Sequence, residues 1–389
     1  MSRVHREQRI LILNHEYPPI PGGASILTGD LISEIAKEHR AVVVTSGCAG
    51  APRHEKLDGI EVYRVPCFGR RSDQLYPTIL SLATYVLFAL PRVFALARKY
   101  EVVFIHSFAV IAGGVVGHIA GRLLRVPHFC TIIGADIYSP IQRRWLYRNR
   151  LYRLMVRRIL NRARHVVSLS TEIKKQCRSI YKFDKPITVI APPISASFCS
   201  LPREQSNEAN GEIRICSISR LVKRKSLDTI LEAVAHRNDP ALRYFVAGMG
   251  EERERLAETA RRLGIEEQVR FVGHVPHAEV VSFVRQTKPH VFVLVSHHEG
   301  FGLAYLEAMA CGLPVIAGDQ GGQTDFIVDG ENGYLVPVGD SRAVADRIRF
   351  LKEHPAVRAQ LVARAYATAQ EFTPARIANQ YRKVYEEHG

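Results

Sequence analysis

Hydrophobic and polar positions vary along the chain in a way that predicts two successive runs of strands and helices. Short apolar segments rich in β-branched residues predict buried strands, and longer segments with apolar residues three or four apart predict helices. In the first run the predicted strands are 9–14, 41–45, 102–105 and 128–132. In the second run they are 213–218, 243–248, 269–273, 291–295 and 314–317. Such alternation is typical of β-α-β units, so we predict the α/β class with two doubly wound parallel sheets.

The two runs are separated by a stretch that follows neither period. The pattern breaks at Ala191-Pro192-Pro193 and resumes after the polar residues 202–211. At 389 residues the chain is long enough for two domains, and we place them at 1–192 and 193–371. Open parallel sheets bind ligands beyond the carboxyl ends of their strands. Candidate binding residues are therefore those in the loops that follow strands.

The positive charge of the chain belongs to its first half. Residues 1–200 contain 29 Lys and Arg against 13 Asp and Glu, whereas residues 201–389 contain 24 against 25. The segment 143–164 alone holds nine arginines and no acid, interleaved with apolar residues. Three interpretations fit this segment. It is an amphipathic helix on an anionic membrane, a site for an acidic acceptor or nucleic acid, or a domain helix whose arginines are merely solvated.

A second apolar stretch, Ile79 to Leu90, is followed at once by Pro91. Twelve residues are fewer than the ~20 that a membrane-spanning helix needs, so we predict a buried or interfacial helix and only peripheral membrane contact. The first nine residues lack the apolar core of a secretion signal. The seven cysteines are scattered without a Cys-x-x-Cys pair, which favours a reducing compartment. We expect a cytoplasmic protein, with any membrane contact at the inner face of the cell membrane.

Two carboxylates, Glu299 and Glu307, flank a predicted junction between a strand and a helix. Glycines between them let the backbone turn and approach a ligand closely. The following helix start offers free N–H groups and a positive dipole end, which suit a phosphate. Ionised carboxylates accept hydrogen bonds from hydroxyl groups. A diphosphate flanked by polyols is a nucleotide sugar, and the helical period places Glu307 about two turns into the helix.

The segment 296–315 resembles the Glu-x7-Glu signature of the retaining glycosyltransferases of family 4. The similarity continues through 317–322 and 329–333. The resemblance implies the GT-B fold, in which two Rossmann-like domains face a central cleft. The N-terminal domain would bind the acceptor, the C-terminal domain would bind the nucleotide sugar, and a last helix at about 372–389 would pack back on the first domain.

The resemblance also implies roles for individual residues. Glu299 would contact the donor sugar near its reacting carbon, and Glu307 would hold the ribose hydroxyls. The remaining donor-binding residues on this segment are Gly300, Phe301, Gly302 and Leu303. Further residues expected around the donor are Gly22 and Gly23 in the first domain and Gly248, Gly273 and His274 in the second.

The segment 219–226 resembles the Gly-Arg-Leu-x-x-x-Lys-Gly segment of the same family. On that alignment Arg220 and Lys225 are the diphosphate clamps, with Ser219 and Ser226 at positions where glycine is usual. Fixed cations beside a departing diphosphate stabilise the transition state more than the ground state. The chain has no Asp-x-Asp, the arrangement of carboxylates that a metal-bridged diphosphate normally uses. We therefore expect no metal and no cofactor beyond the UDP- or GDP-sugar.

The acceptor side matches the family less closely. Many members carry Thr-x-His-Gly-x-Asp, and this chain has Ile133 at the position of the histidine. Asp136 is our candidate for a catalytic group there. His106, after a predicted strand, is a second candidate, although a core or surface histidine is the favoured interpretation of that residue.

The function that these features indicate is transfer of a hexose to an acceptor hydroxyl with retention of configuration. The basic first half indicates an acceptor that is lipid-linked or a precursor of a cell-surface glycan. One alternative is a nucleotide-sugar epimerase of the GT-B fold. Another is a basic nucleic-acid-binding protein, whose affinity would fall steeply with salt. The chain contains no known reader motif, so we expect no nucleic-acid partner.

Overall fold

The computed structural model describes residues 7–20, 23–69, 77–134, 137, 149–199, 211–237 and 239–389. The chain forms two compact α/β units. The first comprises residues 1–193 and 374–389, and the second comprises residues 194–373. The division on the amino side lies between Pro193 and Ile194.

The sheet of the first unit contains eight strands within the described residues. They are β1 (Gln8–Asn14), β2 (Ala41–Ser46), β3 (His54–Leu57), β4 (Ile60–Val65), β5 (Glu101–Phe108), β6 (His128–Ile132), β7 (His165–Ser168) and β8 (Ile187–Val189). Their order is β3-β4-β2-β1-β5-β6-β7-β8. All neighbours pair in parallel except β3 and β4, which form an antiparallel hairpin. The turn of this hairpin is Asp58-Gly59, and both residues have the positive φ that such turns require.

Within the described residues, the first unit contains the helices α1 to α5 and the last helix of the chain. They are α1 (Gly23–Ala36), α2 (Ile79–Lys99), α3 (Gly114–Leu124), α4 (Arg150–Arg162), α5 (Thr171–Tyr181) and the C-terminal helix (Pro374–His388). A single π-helical turn, Ala109–Gly113, precedes α3. Asn149 caps α4 by accepting hydrogen bonds from two backbone N–H groups of its first turn.

Helix α2 does not end at Pro91, as its sequence predicts, but continues through it to Lys99. The reason is tertiary packing. Tyr85 and Ala89 before the proline and Val93 and Leu96 after it lie on one face and are buried in the same core cluster. This continuous buried face stabilises the helix despite the backbone hydrogen bond that Pro91 removes.

The C-terminal helix packs on α1, and its Tyr385 ring packs against Phe104 of β5 and Phe129 of β6. The Tyr385 hydroxyl lies 2.6 Å from His106 Nδ1, and Arg382 forms an ion pair with Glu38 at 2.9 Å. Thr131 Oγ1 of β6 lies 2.9 Å from His106 Nε2. His106 is fully buried and both ring nitrogens are engaged, so it is a core histidine.

The second unit has a six-stranded parallel sheet. Its strands are β9 (Ile213–Ile218), β10 (Leu242–Ala247), β11 (Val269–Gly273), β12 (Val291–Leu294), β13 (Val315–Gly318) and β14 (Tyr334–Val336), in the order β11-β10-β9-β12-β13-β14. Its helices are α6 (Ala196–Cys199), α7 (Leu227–Arg237), α8 (Arg253–Arg262), α9 (Val280–Thr287), α10 (Leu303–Ala310), α11 (Ser341–Glu353) and α12 (Pro355–Gln370). The strand order reverses between β9 and β12. Ligands of doubly wound sheets bind at this reversal, beyond the carboxyl ends of the strands.

Candidate donor site in the second unit

The loops that follow β9 and β12 meet through a buried ion pair between Lys225 and Glu299. Lys225 ends a short 3-10 turn after β9, and Glu299 lies in the loop after β12. The ammonium group donates a hydrogen bond to Glu299 Oε1, and Ser296 Oγ donates to the same oxygen at 2.9 Å. Both charged side chains are only 10% exposed. The reversal of strand order thus places a paired cation and anion at the edge where a ligand is expected.

Charges around this pair favour an anionic ligand. Burial by itself would raise the pKa of Glu299, but Lys225, Arg224 and the Ser296 hydroxyl together outweigh burial and hold that pKa below its ordinary value. Burial lowers the pKa of Lys225, Arg224 and Arg220 act in the same direction, and Glu299 opposes them. Three cations therefore surround one carboxylate, so an additional anion bound here would be attracted.

Arg224 joins the two loops. Its guanidinium donates to the carbonyl oxygen of His298 at 3.1 Å, and its own carbonyl oxygen accepts from the His297 N–H at 2.9 Å. Arg220 is half-buried on the loop immediately after β9. These contacts hold the Arg224 guanidinium of one loop against the backbone that presents Glu299 on the other.

The glycines after Glu299 allow a tight turn into α10. Gly302 precedes the helix with φ of 101°, a conformation that glycine adopts without strain. Phe301 is buried, with its ring centroid 5.1 Å from that of Phe326. The Gly322 N–H donates to the carbonyl oxygen of Glu299 at 2.9 Å. The buried Phe301 ring and the hydrogen bond from Gly322 therefore fix the turn through Gly300 and Gly302. This turn leads to Leu303 at the start of α10.

Glu307 is hydrogen-bonded to a residue that sequence reasoning missed. His277, in a 3-10 turn after β11, places its Nε2 2.8 Å from Glu307 Oε1. The His277 ring also lies 5.4 Å from the ring of Phe198 between centroids. Glu307 is the fifth residue of α10, so it lies about one turn into the helix, and the prediction of two turns is wrong. No spacing in the sequence links His277 to Glu307. Ser296, which donates a hydrogen bond to Glu299, is a second functional residue that the sequence did not predict, although it lies within the segment 296–315.

Backbone hydrogen bonds join the loops after β9, β10 and β11 into one continuous surface, which we call the backbone ledge. The Gly248 N–H donates to the carbonyl oxygen of Gly273 at 2.7 Å, and the Leu221 N–H donates to that of Met249 at 2.9 Å. A Cβ atom on Gly248 would overlap the carbonyl oxygen of Ser219. Glycine is therefore required at 248 for this close approach. The ledge brings Gly248 and Gly273 beside the loop of Arg220, and His274 follows with an exposed side chain.

The remaining predicted residues belong to the first unit. Gly22 and Asp136 lie outside the described residues. Gly23 is the first residue of α1. Among the described residues, no three or more His, Cys, Asp or Glu side chains are grouped so that they could hold a metal ion.

The fold and two family models define the class of protein. The solved structure of HepE from Anabaena in complex with UDP matches with a TM-score of 0.69 and 23% identity, covering 97% of this chain and 100% of that one. The two α/β units therefore have the GT-B fold. The model described as "Glycosyl transferase 4-like domain" matches residues 22–193, and that described as "Glycosyl transferases group 1" matches residues 201–368. The chain belongs to the family-4 type of glycosyltransferases.

Two curated relatives are also similar. The lipopolysaccharide core biosynthesis glycosyltransferase LpsE of Rhizobium meliloti is 35% identical over 159 residues, which are 40% of this chain and 44% of that protein. The GDP-mannose-dependent alpha-(1-6)-phosphatidylinositol monomannoside mannosyltransferase of Mycolicibacterium smegmatis is 25% identical over 364 residues. That match covers 89% of this chain and 90% of the relative.

Proposed function

We propose that this protein transfers a hexose from a UDP- or GDP-sugar to an acceptor hydroxyl with retention of the anomeric configuration. The observation that carries the proposal is the buried Lys225–Glu299 pair, with two further arginines nearby, at the strand-order reversal. A doubly wound sheet binds its ligand at this position. The excess of cations over anions suits a diphosphate.

In this proposal the cations act on the leaving group. Negative charge grows on the diphosphate as the bond between sugar and phosphate breaks, and Arg220 and Lys225 would stabilise that charge. Because both sit on loops fixed by backbone hydrogen bonds, little reorganisation accompanies the reaction. The first turn of α10, beginning at Leu303, adds N–H groups for the same phosphates. We propose that these groups serve in place of a metal ion.

The two carboxylates have separate roles. Glu299 is fixed as an anion by Lys225 and Ser296 and would contact the donor sugar near its reacting carbon. Glu307 would accept hydrogen bonds from the ribose hydroxyls. The departing phosphate oxygen would take the proton of the acceptor hydroxyl, so that retention needs no enzymatic base, as is proposed for the family.

We propose an acceptor that is lipid-linked or a precursor of a cell-surface glycan. Three observations support it. One relative acts in lipopolysaccharide core biosynthesis, and another is a phosphatidylinositol monomannoside mannosyltransferase. The first unit carries 32 Lys and Arg against 15 Asp and Glu, whereas the second carries 21 against 23. The protein would act in the cytoplasm, with the segment 143–164 in peripheral contact with an anionic membrane.

A panel of UDP- and GDP-sugars tests the proposal without knowledge of the acceptor. We expect one or more donors to bind and to be hydrolysed slowly, and the released sugar to appear first in the anomeric form of the donor, observed by proton NMR. Glu299→Ala and Glu307→Ala should lower the rate, whereas Glu232→Ala, an exposed residue of α7, should not. Full rates in both site variants at saturating donor would show that the site is misplaced. Epimerised donor without sugar release would instead support the epimerase.

A further inference from the structure

Helix α2 presents two apolar faces, of which only one is covered. Tyr85 and its neighbours on one face are buried in the core of the first unit. On the opposite face Leu80 and Leu87 are 56% and 65% exposed, and Ile79 at the first position of the helix is 52% exposed. By length and composition alone α2 could cross a membrane, but its buried face anchors it in the folded unit. An exposed apolar stripe of this kind marks an interaction site on a soluble fold.

A second helix nearby combines exposed apolar residues with arginines. On α4, Leu151 and Leu154 are 77% and 60% exposed. Arg157, Arg158 and Arg162 on the same helix are also exposed. An exposed leucine beside arginines is typical of helices that lie in the interface of a membrane.

The two helices belong to one layer. Helix α3 packs against both α2 and α4. Right-handed connections between parallel strands place the three helices on the same face of the sheet. Burial lowers the pKa of His118 on α3, and Arg158 and Arg162 of α4 lower it further, so the arginines of α4 reach α3.

This layer is strongly cationic. The described residues of α2, α3 and α4 include nine Lys and Arg and no Asp or Glu. Three of the nine are engaged elsewhere: Lys99 lies 3.6 Å from Glu61, the Arg92 guanidinium lies over the Tyr63 ring at 5.3 Å from its centroid, and Arg153 donates to the carbonyl oxygen of Ile180. The other cations lie on the same layer as the exposed leucines.

We propose that the outer face of α2, α3 and α4 docks on an anionic lipid bilayer, with Leu80 and Leu87 of α2 entering the boundary between headgroups and acyl chains. Charge complementarity selects this occupant. A second copy of the chain, paired face to face, would oppose cations to cations. A nucleic acid would satisfy the arginines but would leave the leucines exposed to water. The inference rests on the proposed function in one respect. That proposal assigns membrane contact to the segment 143–164, and this one extends the contact to α2 and α3.

The test measures vesicle binding by the full-length protein, independently of catalysis. Vesicles of phosphatidylcholine alone are compared with vesicles that also contain phosphatidylglycerol, by co-sedimentation. We expect binding to the anionic vesicles that weakens with salt, and the double variant Leu80→Gln/Leu87→Gln should weaken it about tenfold or more. Leu57→Gln, an exposed leucine on the edge strand β3, is the matched control and should bind like the unaltered protein. Circular dichroism and urea midpoints check that each variant is folded.

Three outcomes would overturn the proposal: no binding to anionic vesicles, equal binding by the double variant, or a dimer in light scattering that the leucine substitutions dissociate. UDP and GDP binding is measured in solution on the same variants. Loss of vesicle binding with intact nucleotide binding supports this surface and leaves the donor site untouched. Absence of nucleotide binding in a protein that still binds vesicles would instead contradict the proposed function alone.

Discussion

His277 Nε2 lies 2.8 Å from Glu307 Oε1, so the carboxylate that we assign to the donor ribose has a partner within the protein. The two residues come from different connections, one after β11 and one within α10. This hydrogen bond restricts the rotamers of Glu307. One carboxylate oxygen is thereby fixed by the protein, and the other remains to accept a ribose hydroxyl.

His277→Ala should therefore weaken nucleotide binding with little effect on the maximal rate. Loss of one hydrogen bond to a charged group corresponds to about 1–2 kcal/mol, or roughly a 5- to 30-fold increase in the dissociation constant. His277→Gln can still donate and should recover much of the affinity. Calorimetric titration with UDP and GDP measures both variants. Tighter binding by His277→Ala would show that the histidine competes with the ribose.

Removal of one partner of the Lys225–Glu299 pair should destabilise the second unit. Lys225→Met or Glu299→Leu leaves an uncompensated buried charge, with an expected loss of about 3–5 kcal/mol in the free energy of unfolding. The double variant Lys225→Met/Glu299→Leu should recover part of that loss but no transferase activity. Urea denaturation and donor hydrolysis measure the two effects separately. If the double variant were as active as the unaltered protein, the pair would have no catalytic role.

Gly248→Ala should disturb the ledge that carries Arg220. The new Cβ would overlap the carbonyl oxygen of Ser219, and Gly248 has φ of 140°. We expect nucleotide affinity to fall about tenfold or more because the Arg220 loop must move. Gly264→Ala is the matched control, since Gly264 also has positive φ but a Cβ there meets nothing within 4 Å. The affinity of Gly264→Ala for UDP and GDP should equal that of the unaltered protein. Equal affinities of Gly248→Ala and Gly264→Ala would contradict the account.

Acid should destabilise the first unit through its buried histidines. Burial lowers the pKa of His106 and of His128 to about 3, so both are neutral in the folded state at pH 5, while the unfolded chain binds protons near pH 6.5. The unfolded state therefore binds more protons between these values, and stability is complete above pH 6.5 and falls as the pH falls toward 3. Each histidine contributes a slope of up to about 1.4 kcal/mol per pH unit. His128→Asn should reduce the slope measured by urea denaturation between pH 7 and 5, and an unchanged slope would contradict this origin.

The local elements of the donor site could be predicted because their signals are local. The β-branched runs before Ser219 and Glu299 gave the strands β9 and β12, and the helix formers after Gly302 gave α10. The hairpin of β3 and β4 was missed because β3 is short, polar and exposed, although Asp58-Gly59 between the strands is a hairpin signal.

What the sequence could not provide are contacts between distant elements. Nothing near Pro91 shows that residues on both sides of it are buried on one face, so the length of α2 followed only from the packing. The pairing of His277 with Glu307 joins residues 30 positions apart on separate connections. The order of the strands brings them together, and no short-range pattern encodes that order.

Calorimetric titration of the unaltered protein with UDP and with GDP, in the presence of EDTA, tests the central claim most directly. The account predicts saturable binding of at least one of the two without a divalent metal. That binding should be lost in Lys225→Met and retained in Glu232→Ala. Failure of both nucleotides to bind at millimolar concentration, or undiminished binding by Lys225→Met, would contradict it.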